Sequence, residues 1–130
     1  MNKEPPISVV IPVFNAEKTI GQCLASVWEQ SSRPFEIIIV NNKSTDETWK
    51  IVGEFIGRHP ELAARCVDED RQGPSFVRNC GAKLAKGDII AFIDADCVAD
   101  ASWLHRLSES FGNSNIGAVA GSIIGFDRQT

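Results

Sequence analysis

Asp94 and Asp96 flank one small residue, Ala95, at the end of the apolar run Ile89-Ile90-Ala91-Phe92-Ile93. Alternate residues of an extended segment project to one side, so both carboxylates can face a single ligand. Mn2+ and Mg2+ prefer oxygen donors, and their nucleotide sites use one or two carboxylates together with phosphate oxygens. Alone, an Asp-x-Asp is a common pattern. A polar loop capping the next helix would read the same way.

Other polar residues gather at comparable places. Phe14, Asn15 and Glu17 follow one apolar run; Asn41, Asn42, Lys43, Ser44 and Asp46 follow another. A third set, Asp70, Arg71, Gln72 and Gly73, precedes an apolar-faced helix that carries Arg78 and Asn79 in its first turns. Each has a bland reading beside the functional one. Ser44 followed by Glu47 is a capping box, Arg78 is by default a solvated cation, and Phe14 on its own is best read as core. The functional readings are a Phe14 ring stacked on a nucleobase and an Arg78 fork aimed at a diphosphate or base. Trp28 and Trp103 read as packing residues, and His59 and His105 have no partner spacing for a role.

The elements that position these groups alternate along the chain. Ile7–Val13 is a buried strand, and Asn15 caps a helix to about Gln30 with Ile20, Leu24, Val27 and Trp28 on one face. Phe35–Val40 is a second strand. The capping box opens a helix that turns Trp49, Val52 and Ile56 inward and ends near Gly57. A short third strand spans Ala64–Asp68. Gly73-Pro74 leads into a helix over Ser75–Ala85, with Val77, Cys80, Gly81 and Leu84 on one face and Gly87 as its stop. Asp88–Ile93 is a strand, Ser102 caps a helix bearing Leu104, Leu107 and Phe111, and residues 116–124 form a final strand. Strands separated by such helices imply βαβ units: an α/β domain, its sheet mostly parallel, with helices on both faces. In such a sheet ligands bind beyond the carboxyl ends of the strands, where all the polar clusters above converge.

Composition narrows the function further. The chain has 130 residues, sufficient for a single domain spanning 1–130, and its 43% hydrophobic and 23% charged content is that of a globular protein. A net charge of −4 gives no footprint for nucleic acid, so an anionic ligand must be met by a metal or by local dipoles. Cys23, Cys66, Cys80 and Cys97 form no C-x-x-C pair, which argues against zinc and for free thiols in a reducing cytoplasm. The first six residues lack the apolar core of a signal peptide, and no apolar run is long enough to cross a bilayer.

Four segments in order, Val9–Asn15, Ile38–Asp46, Gly73 through Arg78 to Ala82, and Phe92–Asp96, make the chain similar to the start of the family 2 glycosyltransferases of the GT-A, Rossmann-like fold. The resemblance runs from about Ile7 to Ile124. It implies an NDP-sugar donor, often a UDP-sugar, inversion at the anomeric carbon, and an acceptor that is a sugar, lipid or polysaccharide, as in cell wall or polysaccharide biosynthesis. By position it places Pro12 and Phe14 about the base, Asn41 at the base edge and Arg78 near the nucleotide. Asp94 approaches the ribose or metal, and Asp96 holds Mn2+ or Mg2+ on the diphosphate. Asn15, Glu17 and Ser44 complete the expected nucleotide-binding set. The family usually has Asp at Asn41, commonly Gly at Lys43 and frequently Asp at Cys97. Its catalytic base, an Asp or Glu, is expected beyond Thr130, so this chain is the donor-binding N-terminal portion. The location implied is the cytoplasm, including the inner face of the membrane, and an unfinished sheet edge would favour a homo-oligomer.

Three alternatives carry different signatures. A sugar nucleotidyltransferase would show a Gly-rich basic loop where Val13-Phe14-Asn15-Ala16 stands. A response-regulator receiver would cluster acids after its first strand. A non-catalytic nucleotide-binding module would share the donor site without turnover.

Overall fold

A computed structural model of the chain describes residues 4–112 and 117–118. The elements, in order, are β1 (Ile7–Val13), α1 (Ile20–Trp28), β2 (Glu36–Asn41), α2 (Thr48–Arg58), β3 (Ala64–Asp68), α3 (Pro74–Leu84), β4 (Ile89–Phe92) and α4 (Trp103–Ser110). The strand expected over 116–124 lies outside the described residues, apart from Gly117 and Ala118.

The described strands form one parallel sheet in the order β3-β2-β1-β4. β1 and β2 are buried almost throughout, because both of their faces are covered. On one face Val9, Ile11, Val13, Ile37 and Ile39 pack with Ile20 and Leu24 of α1, Val52 of α2, and Leu104 of α4. On the other face Val10, Ile38 and Val40 pack against Val77 of α3. The chain therefore moves outward from β1 through β2 to β3, then returns across the opposite face to β4. β1 and β4 flank the point where strand order reverses, the place where such sheets open a crevice.

Two glycines set how closely α3 and its exit approach the sheet. A Cβ on Gly81 would lie 2.3 Å from Val10 Cγ1, and one on Gly87 would lie 2.7 Å from the Ser8 N atom. Both positions need glycine for closeness, not for turn geometry. Gly87 is thus a packing residue rather than the stop of α3, which ends at Leu84.

Pro12 shapes the crevice. Val10 O accepts from Ile93 N–H at 3.2 Å, so the even residues of β1 face β4, yet the β1–β4 pairing ends at Val10 and Phe92. Pro12 falls just past that end, where no ladder donor is required, so its missing N–H costs nothing.

Several local expectations shift. α1 starts at Ile20 after a turn in which Ala16 O accepts from the Thr19 and Ile20 N–H groups, and Asn15 does not cap it. The Ser44–Glu47 capping box does not form either: α2 starts at Thr48, whose N–H is taken by Asp46 Oδ1 at 3.0 Å. Thr48, Val52 and Phe55 make the buried stripe of α2, one residue round from the expected one. Trp49 is consequently 52% exposed. Ser102 precedes α4 but makes no side-chain cap; the Leu104 N–H is instead satisfied by the remote Gln30 Oε1 at 2.9 Å. The cysteines are free, and burial pushes the Cys23 and Cys66 thiols up to about 12. Among the described residues no helix is long and apolar enough to cross a membrane.

Candidate functional site

The loops after β1 and β2 are laced together by their own side chains. Asn15 N–H donates to Ser44 Oγ at 2.9 Å, and Thr45 N–H donates back to Asn15 Oδ1 at 2.8 Å. Glu17 N–H donates to Asp46 Oδ2 at 3.2 Å, and Glu47 N–H to Glu17 Oε2 at 2.9 Å. Ala16 N–H reaches Thr48 Oγ1 at 2.8 Å. Asn15 holds φ 45 and Lys43 holds φ 61, both left-handed conformations that the tight exits demand. Asp46 loses some affinity for its proton in this lattice: burial opposes the shift, but bonds from Thr48 and Glu17 bring it below the ordinary carboxylate range. The result is a stiff double loop at the lip of the sheet. Asn15, Glu17 and Ser44 spend polar atoms within it.

The two adjacent asparagines at the β2 exit point to opposite faces. Asn41 lies on the α1–α2 side, where Nδ2 donates to Asp68 Oδ1 at 3.2 Å and Oδ1 accepts from Ser44 N–H at 3.2 Å. Asn42 turns to the α3 side. Its Nδ2 donates to Glu69 O at 2.7 Å and Arg71 O at 2.9 Å, while Oδ1 accepts from Gly73 N–H at 3.3 Å. Gly73 sits at φ 132, a conformation that favours glycine, and opens α3.

Two concavities meet at Phe14. One, of about 280 Å³, is bounded by Pro12, Phe14, Asn42, Gly73, Pro74 and Val77. The other, of about 590 Å³, runs past Asn15, Lys18, Asp46 and Asp96. Phe14 is 57% exposed, so it is not a core residue; it forms the wall between the two spaces.

The carboxylates lie at the β4 exit. The segment after β4 is not extended: Cys97 N–H donates to Asp94 O at 2.9 Å, closing a turn around Ala95 and Asp96. The turn still gathers the acids. Donor atoms of Asp94, Asp96 and Cys97 lie within 4.8 Å of one another. Buried Ala95 pins the turn to the core while both aspartates stay exposed. Arg78 reaches across from α3, with Nη2 3.4 Å from Asp94 Oδ1. The arrangement brings together a hydrophobic slot, a pair of acids and one guanidinium along the crevice. A nucleoside diphosphate has matching parts.

The family model for glycosyl transferase family 2 matches residues 8–130. The chain belongs to that family. Glycosyltransferase AglE of Haloferax volcanii is 31% identical over 92% of this chain and 40% of its own length. Poly(ribitol-phosphate) beta-glucosyltransferase of Bacillus spizizenii is 37% identical over 69% of this chain and 14% of the relative. Among solved structures, mannosyltransferase PcManGT from Pyrobaculum calidifontis in complex with GDP-Man and Mn2+ superposes with a TM-score of 0.76, 26% identity, and coverage of 90% of this chain and 34% of that one. S. aureus TarS in complex with UDP-GlcNAc gives 0.73, 28%, 82% and 31% respectively. The chain thus spans 40% of the AglE length or less of these relatives.

In this member of the family the structure brings Pro12, Phe14, Asn15, Glu17, Arg78, Asp94 and Asp96 to the rim of the crevice. Ser44 sits in the double loop. Asn41 borders neither concavity; its neighbour Asn42 does. Which of the two borders a concavity was within reach of the sequence. Ile38, Val40 and Asn42 share one face of β2, the face that α3 covers, and the parity of the strand decides between the two residues. Lys18 and Thr19 also line the larger space, and nothing in their residue types announces it.

Proposed function

We propose that this chain is the donor-binding part of a metal-dependent, inverting glycosyltransferase that takes an NDP-sugar. The observation that carries the reading is the position of the Asp94–Asp96 turn at the sheet's reversal point, facing the β1 loop across the crevice. Relatives of the same fold bind UDP-GlcNAc and GDP-Man, and both donors share a nucleoside diphosphate.

In this reading the base enters the smaller concavity, with the Phe14 ring against its face and Asn42 at its edge. The exposed ring supplies stacking that tolerates any base. Asn42 is neutral, and its three bonds to the 69–73 region leave only one Oδ1 lone pair free, so it gives the base edge less than a free carboxylate would. Arg78 and Asp94 stand nearer the ribose and diphosphate. The oxygen donors of Asp94 and Asp96 suit Mn2+ or Mg2+, and Cys97 Sγ adds a soft donor at the margin. A divalent ion bound there would supply Lewis-acid stabilisation of the leaving diphosphate. Asp96 would hold that ion, and Asp94 would orient the ribose side.

Calorimetry of UDP and GDP with and without Mn2+ tests the assignment. Nucleotide affinity should rise at least tenfold with Mn2+, and Asp96→Ala should abolish the gain. A gain of the same size in Asp96→Ala, or none in the parent, rejects the reading.

A further inference from the structure

The one guanidinium beside the acid pair invites a question of order: which ligand arrives first. Arg78 projects from the second turn of α3, and its Nη2 lies 3.4 Å from Asp94 Oδ1, its only recorded acceptor among the described residues. The helix packs close to β1 near the pair: Gly81, three residues along, abuts Val10 so closely that no Cβ would fit between them. The side chains are about half exposed, 44% for Arg78 and 56% for Asp94. Such a pair is weak and easily exchanged. It is fixed in place at its root and loose at its tip.

We propose that Arg78 acts as a charge gate: it discourages a bare divalent cation from the Asp94–Asp96 pair and yields the pair when an anionic diphosphate arrives. This rests on the reading that the acids hold a metal with an NDP-sugar. The physical basis is simple. A guanidinium within hydrogen-bonding reach of Asp94 offsets one of the two negative charges that attract the cation and occupies one of its oxygens. A diphosphate carries enough negative charge to engage both positive groups, so Arg78 can leave Asp94 for a phosphate oxygen, and its planar fork suits that partner. The nucleotide and the metal then favour each other by more than their direct contact provides, and the coupling is reciprocal. Arg78 here binds the diphosphate and enters no bond-making step.

The test measures Mn2+ binding to the full chain without nucleotide, by the loss of the free-ion paramagnetic resonance signal, and then repeats it with UDP present. Parent, Arg78→Gln, Arg78→Lys and Asp96→Ala are compared, with circular dichroism confirming that each is folded. Removing the charge should tighten binding of Mn2+ alone by roughly three- to tenfold, the size expected for losing one screened cationic neighbour. The same variant should bind UDP with Mn2+ more weakly than the parent, and Arg78→Lys should resemble the parent for Mn2+ alone. Unchanged or weaker binding of Mn2+ alone by Arg78→Gln overturns the gate. If Asp96→Ala abolishes Mn2+ binding while Arg78→Gln fails to tighten it, the gate falls and the metal assignment stands. If Asp96→Ala leaves Mn2+ affinity untouched with and without UDP, both fall together.

Discussion

Gly73 N–H donates to Asn42 Oδ1 at 3.3 Å, so the residue opening α3 is tied to the residue that follows β2. Both residues line the smaller concavity, and Asn42 Nδ2 extends the tie through Glu69 O and Arg71 O. One buried side chain therefore organises the whole 69–73 region.

Asn42→Ala should be costly in two ways. It leaves the Gly73 N–H and two carbonyls without their partner, which lowers stability by about 2–3 kcal/mol. It also frees the wall of the base site, and UDP affinity should drop about tenfold or more. Urea unfolding and calorimetry measure the two effects separately. Stability and affinity both at parental values would show that the loop does not depend on this residue.

The contact of Gly81 with Val10 predicts a size-dependent defect. A methyl at residue 81 would meet Val10 Cγ1 at 2.3 Å, so α3 must lift or Val10 must move. Gly81→Ala should destabilise by roughly 1–3 kcal/mol, as overpacked interfaces do. Pairing it with Val10→Ala should return part of the loss, giving a favourable coupling in a double-mutant cycle. Additive losses would mean that the two residues do not share this contact.

Glu36 predicts a dependence on acid. Its Oε2 accepts from Ser8 Oγ at 2.6 Å and from Lys86 N–H at 2.6 Å, and Ser8 Oγ in turn accepts from Gly87 N–H at 2.8 Å. Burial raises this carboxyl, but the two bonds and the neighbouring Arg65 and Lys86 charges outweigh it and bring the group below its ordinary value of 4.5. A depressed carboxyl contributes stability that is full above its unfolded value and disappears as pH falls through the folded one. Glu36→Gln should therefore cost about 1–2 kcal/mol at pH 7, and the gap from the parent should narrow below pH about 4. Parallel stability curves across that range would contradict the assignment.

Much of this molecule is legible in its residues, and the misreadings share a cause. β1, β2 and α3 carry unbroken apolar runs or faces, so periodicity places them and parallel topology follows. Asn15 and Ser44 mislead because each is a good helix cap by type. In the fold each has a stronger partner in the opposite loop, at 2.8 and 2.9 Å. Trp49 misleads because a stripe shifted by one residue remains plausible in the sequence, and only the packing of Val52 and Phe55 into the core cluster settles which stripe is buried. Asn41 and Asn42 are indistinguishable by type; the pleat separates them. The proximity of the Asp94 and Asp96 carboxylates follows from a turn rather than from the strand alternation their spacing suggests.

The most direct trial of the metal assignment is crystallographic. Crystals soaked with Mn2+ and UDP, recorded at the manganese edge, should show one strong anomalous peak within coordination distance of an Asp96 carboxylate oxygen and of the diphosphate. A map with UDP bound and no manganese at Asp96 would contradict the account.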